Sequence, residues 1–396
     1  MKSNVIPPLK SFFMGGFECA DHINRSGIRI NLQKETEHDL RVYDDYKLLK
    51  DIGISVVREG ICWSDVEAKP FEFDFSRLDP LFNAALSHDI QIIWDLCHFG
   101  YPDGLIPTHP QFTARFVALT EAFLNYHHKM RPQIPWIIPI NEISFLSWHS
   151  GDVRGTVPFA VNSGFDIKYH LCKAAIAAMH KIRESFPDTV ILAVEPLVKV
   201  HPSGIESDFL TVFEKHEIQY QAMDVLTGRM CPELGGDEGL IDVFGANYYY
   251  NNQWNDLNQT IPWPDAHGLL TPFSDLLEEV YGRYGYPIVI TETGHFGLLR
   301  KQWMKEILVE VATAMKNNVP IHGLCIYPVI DRPDWDDLSS FSNCGIWDMD
   351  SFKNRKPHQP YIESIREGQD LFEKLLAVAV INPAVNPKKI SSLNSL

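Results

Sequence analysis

The stretch PIVITETG, residues 287–294, reads as a buried strand that ends in a carboxylate. Pro287 opens it, where a missing N–H does least harm. Ile288, Val289 and Ile290 form the unbroken apolar run expected of a parallel strand covered on both faces. Thr291 and Glu292 interrupt that run, and Gly294 is expected to turn the chain. A charge at the carboxyl end of a buried strand is costly unless it is paired or used. In a closed α/β barrel, that end is where active sites lie. Taken alone, the stretch suits a strand-end salt bridge as well as it suits a catalytic group.

Seven further apolar runs share this character, at residues 12–17, 55–61, 90–96, 136–140, 190–194, 243–247 and 321–330. Between them the spacing predicts helices over 36–51, 79–88, 110–129, 163–186 and 207–228, with a closing helix over 359–377. The first resembles a capping box at Thr36, Glu37, His38 and Asp39 and is stopped by Gly53. After the seventh strand, Leu299, Trp303, Ile307, Val311 and Met315 recur every four residues, the mark of one buried helical face. Eight strands alternating with helices predict a parallel sheet, and eight is the number that closes a (β/α)8 TIM barrel. A doubly wound open sheet is the competing fold. It usually carries a glycine-rich phosphate turn, and no GxGxxG or GxxxxGK follows the first strand. The expected organisation is a single barrel domain over residues 1–381, with 382–396 as a loose C-terminal tail.

The 396 residues are 45% hydrophobic, enough to fill a large core, and the net charge is −16. That charge argues against nucleic acid and acidic membrane surfaces as partners. Aromatics at 12% supply flat faces suited to sugar rings or to core packing. The first ten residues lack the apolar core of a secretory signal, and no run approaches a membrane span. Seven scattered cysteines without a CxxC suggest reduced thiols in a cytoplasm. Nothing here decides between a monomer and a homo-oligomer.

Polar groups gather at the predicted strand ends: Glu18; Arg58 and Glu59; Asp95 and His98; Asn141 and Glu142; Glu195; Asn247 to Tyr249; Glu292; and Asp331 to Trp335. Carboxylates dominate. Two carboxylates facing one pocket suit glycoside hydrolysis, in which one acid protonates the leaving oxygen and the other attacks the sugar or activates water.

The order and wording of these strand ends resemble glycoside hydrolase family 1, of the clan of (β/α)8 retaining glycosidases, over nearly the whole chain. IPINEIS resembles the family's T-(F/L)-N-E-P, which implies Glu142 as acid/base beside Asn141. VITETG resembles (I/V)-T-E-N-G, which implies Glu292 as nucleophile. CHFGYPDGL is similar to T-H-W-D-x-P-x-x-L, placing His98 on a sugar hydroxyl. FGANYY resembles I-G-x-N-Y-Y, placing Asn247 and Tyr249 near the nucleophile. GLCIYPVIDRPDW aligns without a gap on G-Y-F-x-W-S-L-x-D-N-x-E-W, which implies Tyr327, Asp334 and Trp335 around the sugar. VREGICW resembles Y-R-x-S-I-x-W, giving Arg58 as the cation beneath the nucleophile.

The departures fall in the sugar-binding shell. Glu18 stands for a Gln, Phe99 and Tyr327 each for a Trp, Asp334 for a Glu, and Ile143 for the Pro after the acid/base. The resemblance implies a retaining β-glycosidase that works by double displacement on a carbohydrate or glycoside, with no cofactor and no metal. An inactive sugar-binding barrel and a transglycosylase are the alternatives. Two carboxylates, Glu18 and Asp334, argue against a phosphorylated or uronic-acid sugar. An ionised Glu18 accepts hydrogen bonds and cannot donate, which favours a donor-rich ligand such as a cationic amino sugar. A retaining pair about 5–5.5 Å apart would repel by roughly 3 kcal/mol at an effective dielectric near 20. That repulsion is expected to keep Glu142 protonated near neutral pH while Arg58 and Tyr249 hold Glu292 ionised. Trp63, Trp94, Trp148 and Trp303 are expected to serve packing, and His127 and His128 to form a solvated pair.

Overall fold

The computed structural model describes residues 6–131, 133–204 and 207–381, so the expected tail at 382–396 lies outside the described residues. Eight parallel strands close into one barrel: β1 (Phe13–Gly16), β2 (Val56–Gly60), β3 (Gln91–Cys97), β4 (Trp136–Ile140), β5 (Val190–Pro196), β7 (Val243–Asn247), β9 (Ile288–Thr293) and β10 (Ile321–Ile326), the last pairing back onto β1. Outside the barrel, β6 (Lys199–His201) pairs with β8 (Gln253–Asn255), and β11 (Trp347–Met349) with β12 (Arg355–Pro357). The fold is the (β/α)8 TIM barrel.

Side-chain alternation divides the core in two. Met14, Val56, Ile93, Trp136, Ile138, Leu192, Val243, Val289 and Cys325 meet inside the barrel. Their strand neighbours, among them Phe13, Val57, Trp94, Ile137, Ile191, Phe244, Ile288 and Ile290, pack outward with the helices. Each strand is therefore apolar on both faces, as the continuous runs required. Gly294 does its work by close approach: a Cβ there would fall 2.4 Å from the Tyr327 carbonyl oxygen.

One feature of β9 decides where Glu292 points. Ile290 pairs with Ala246 and Leu324, but Asn247 pairs with Glu292 and Ile326 with Thr293. Thus β9 carries an extra residue relative to both neighbours. Such a bulge re-aims a side chain. Strict alternation would send Glu292 outward with Ile288 and Ile290; instead it reaches Arg58, which faces inward in step with Val56.

The expected elements shift in several places. The helix read over 207–228 is broken into Phe209–Glu217, a tight turn at Ile218–Tyr220 and Gln221–Leu226. The eighth strand stops at Ile326, four residues early. No capping box forms: the Thr36 hydroxyl donates to Leu32 O, and Glu37, at φ 54°, caps the helix His38–Asp51 without a side-chain bond. Among the described residues, two helices of nine residues or more escape the sequence reading, Ile143–Gly151 and Phe273–Tyr284, as do the short Leu32–Glu35 and Trp63–Val66. His127 is buried against Phe82 and Phe123 rather than solvated, and Trp148 is half exposed rather than packed. All seven cysteines are free thiols. Among the described residues no helix is long and apolar enough to cross a membrane.

A buried charge network ties β2 to the helix that precedes it. His38 stacks on Phe17 with ring centroids 3.7 Å apart; its Nδ1 lies 2.9 Å from Asp45 and its Nε2 2.8 Å from Glu59. Tyr46 donates to Glu59, and Arg355 of β12 grips Asp45 with two nitrogens at 2.7 Å. Burial pushes the His38 imidazolium toward neutrality, but Glu59 and Asp45 outweigh it and raise its pKa to about 9. A raised folded-state pKa contributes stability that is complete below the unfolded value, near 6.5, and is lost as pH climbs through about 9. Relative to His38→Gln, the wild type is expected to gain about 3 kcal/mol at pH 6 that is gone by about pH 10. Urea unfolding of both proteins across that range checks this; a difference that does not vary with pH would refute it.

Candidate active site

The carboxyl ends of the strands bring the predicted groups into one hydrogen-bonded chain. Glu142, just past β4, accepts from Asn247 Nδ2 at 2.8 Å. The same amide nitrogen lies 3.4 Å from Asn141 Oδ1, which accepts from Arg58 Nη2 at 2.8 Å. Arg58 Nη1 donates to Glu292 Oε1 at 2.6 Å, and the Tyr249 hydroxyl to Glu292 Oε2 at 2.8 Å. Asn247 is itself fixed by the Thr291 hydroxyl at 2.6 Å. Glu142, Glu292, Asn141, Asn247 and Arg58 are all buried.

The two glutamates differ in what touches them. Glu292 has a donor on each oxygen, one of them a guanidinium. Glu142 has a single neutral amide. Burial, and then the charge of Glu292, drive the Glu142 carboxyl well above the usual range, against the Asn247 bond. Arg58 is held from its other side by Asp95, at 2.8 and 3.1 Å. Burial alone would raise the Asp95 carboxyl, but Arg58 and His98 hold it below its ordinary value.

A second group of side chains lies beside this chain. The Tyr327 hydroxyl donates to Glu18 Oε1 at 3.2 Å and sits 3.2 Å from His98 Nε2, whose Nδ1 faces Asp95 at 3.3 Å. Gly16 makes room for the tyrosine; a Cβ there would meet its ring at 2.1 Å. Trp335 packs edge-on against His22 and Phe99.

Asp334 is not part of this group. Expected beside the sugar, it lies exposed on a turn, where its Oδ1 accepts the backbone N–H groups of Asp336 and Asp337. A short Asp after a Pro closes such a turn on its own backbone. Arg332 takes the position instead, with Nε 3.1 Å from Glu18 Oε2 and its guanidinium over the Trp335 ring at 5.7 Å. The charge argument against an anionic sugar therefore loses its ground. One of its two carboxylates is outside the site, and the other is paired with a cation. The same pairing removes the case for a cationic amino sugar.

Cys19, Asp95 and His98 bring one ligand atom each within 4.8 Å of one another. Arg58 already holds both oxygens of Asp95, so a metal cation there would sit beside a guanidinium. Burial pushes the Cys19 thiol far up, and it is no ready thiolate ligand or nucleophile. Sequence reasoning left Asp95 without a role and passed over Arg332 and Thr291. Asp95 is inward by alternation with Ile93, a signal that was present. Nothing local distinguishes Arg332 from Asp334.

No protein-family model matches the chain. It is 21% identical over 362 residues to the aryl-phospho-β-D-glucosidase BglH of Bacillus subtilis, covering 74% of this chain and 75% of that one. Among solved structures it is similar to the β-glucosidase of Thermotoga maritima in complex with glucoimidazole, with a TM-score of 0.74 at 18% identity over 91% of this chain and 98% of the other. A complex of the Thermotoga maritima family 1 glycoside hydrolase with a cyclophellitol analogue gives 0.72 at 18% identity, over 93% and 99%. The chain is thus similar to enzymes of glycoside hydrolase family 1: it shares the barrel of those structures, and its strand-end motifs resemble the family's in the same order.

Proposed function

We propose that the protein is a retaining β-glycosidase, with Glu292 as nucleophile and Glu142 as acid/base. The observation that carries this is the asymmetry of two buried carboxyls joined through Asn247, Asn141 and Arg58. Only a protonated acid can give a proton to the leaving oxygen, and burial beside Glu292 keeps Glu142 protonated. The Arg58 and Tyr249 bonds leave Glu292 aimed and charged for attack on the sugar carbon. Attack forms an ester between Glu292 and the sugar and consumes that negative charge. Glu142, which has given its proton to the leaving oxygen, then feels less repulsion as a carboxylate and takes a proton from the water that hydrolyses the ester. Water and a second sugar compete for the same ester, so transglycosylation uses the same machinery.

Glu18, His98, Tyr327, Arg332 and Trp335 are the groups proposed to read the sugar. The pairing of Arg332 with Glu18 makes a phosphorylated glycon a candidate beside a neutral one, in line with the aryl-phospho-β-D-glucosidase name of the Bacillus relative.

The test is turnover of aryl β-glycosides, neutral and 6-phosphorylated, as a function of pH. A bell-shaped profile is expected, with Glu142 responsible for its upper limb. Glu142→Gln should abolish that limb. It should cost about 10²–10⁴-fold with poor leaving groups and much less with activated phenols, which need no proton. A profile unchanged by the substitution, or no turnover of any sugar, would sink the proposal.

A further inference from the structure

We infer that Glu195 is a positioning residue for Glu142, a buried clamp on the first turn of the helix that begins immediately after it. This rests on the reading of Glu142 as the acid/base. Glu142 is the N-cap residue of the helix Ile143–Gly151, in a left-handed backbone conformation at φ 46°. An N-cap side chain ordinarily accepts the free N–H groups of the first turn. The carboxyl of Glu142 does not; it is turned to Asn247. A residue cannot cap its own helix and serve the pocket with one carboxyl.

The missing acceptor comes from the neighbouring strand. Glu195, near the end of β5 and 2% exposed, takes the Ser144 N–H between its two oxygens, at 3.1 and 3.3 Å. The same junction is stitched by the backbone, with Glu142 N donating to Val194 O at 3.0 Å. The end of β5 thus grips both sides of Glu142: Val194 holds its own N–H, and Glu195 the helix that follows. An anionic carboxylate also suits the positive end of that helix.

The groups facing Glu195 are Lys168 and Cys172 of the helix Gly164–Ser185, with Glu142 across the turn. Lys168 donates to Gln221 at 2.9 Å, and its charge opposes the rise that burial causes. Burial takes the Glu195 carboxyl up to about 7, and its charge adds to those that favour the protonated form of Glu142. The clamp therefore has two separable actions, an acceptor for Ser144 and a negative charge behind Glu142.

Glu195→Gln keeps the acceptor and removes the charge. It should fold with an unchanged melting temperature, and its pH–rate profile should lose its upper limb at lower pH, a loss on the order of threefold or more on the alkaline side. Glu195→Ala removes both, and should lower kcat by about tenfold or more with little change in KM. A purely structural carboxylate would move stability and leave the limb where it was. Carbon-13 NMR of the glutamate carboxyls, with Glu142→Gln to identify its resonance, follows Glu142 without substrate. A downward shift of its titration midpoint in Glu195→Gln supports the clamp even if no glycoside is turned over. An unchanged midpoint overturns it, whatever the activity.

Discussion

Glu292→Gly is expected to lose roughly 10⁴-fold or more in turnover of aryl β-glycosides, and azide is expected to restore a large part of it. The reason lies in what the substitution leaves behind. The carboxylate is removed, but Arg58 remains fixed by Asp95 and Asn141, and Tyr249 remains at the other side. The cavity so formed is lined by a cation and a phenol, a setting that accepts a small anion. Azide occupying it would attack the sugar carbon from the side Glu292 used. Glu142, still protonated by burial, would assist the leaving group. Azide needs no general base, so the product is a glycosyl azide of anomeric configuration opposite to the substrate. NMR of that product decides the assignment. Rescue with inversion makes Glu292 the nucleophile and the enzyme retaining. Full activity without azide, or rescue with retained configuration, would place the nucleophile elsewhere.

Arg58→Met should be nearly as damaging, and for a reason that reaches beyond catalysis. Arg58 is fully buried and joins three strands at once: Asp95 of β3, Asn141 after β4, and both the carboxylate of Glu292 and the carbonyl of Thr291 on β9. Methionine fills the volume but leaves two carboxylates buried without their cation. Breaking a buried ion pair from one side typically costs about 3–5 kcal/mol. Lysine would not repair the site, since one ammonium cannot reproduce a planar fork that meets five acceptor atoms. The sign of the pH dependence follows from Asp95. In the wild type Arg58 and His98 hold its carboxyl down against burial, so its contribution is present above the unfolded value, near 3.9, and is lost in acid. Without Arg58, burial prevails and the carboxyl rises, so the variant should recover relative to wild type as pH falls. Urea unfolding at pH 7 and pH 5 measures both quantities. A penalty below about 1 kcal/mol, or one that grows in acid, would contradict this account.

Much of the molecule is legible from its chain. Continuous apolar runs, which become barrel strands of four to seven residues, alternate with amphipathic segments and fix parallel strands and helices, because strands packed on both faces admit no polar alternation. The strand-end positions of Glu142, Glu292, Arg58, Asn141, Asn247 and His98 follow once the barrel is granted, since closing it carries every strand end to one rim. The failures are instructive. Asp334 aligned on a sugar-binding position, yet its side chain is spent on the backbone of its own turn, and Arg332 points into the site in its place. A choice of that kind turns on two residues in one loop, where periodicity says nothing. The helix after Glu142 was missed because its sequence, ISFLSWHSG, carries no clear amphipathic stripe.

By itself, then, the sequence determined the barrel, the set of side chains available at its rim, and the chemistry those side chains can perform. Tertiary structure alone decided their aim. The extra residue in β9 turns Glu292 from the helix layer into the barrel, and a bulge depends on how two neighbouring strands register against it. It likewise decided that the Glu142 carboxyl is pushed toward its protonated form. That depends on burial and on the charges brought near by closure, from β2, β5 and β9, which lie far apart along the chain and meet only in the folded protein.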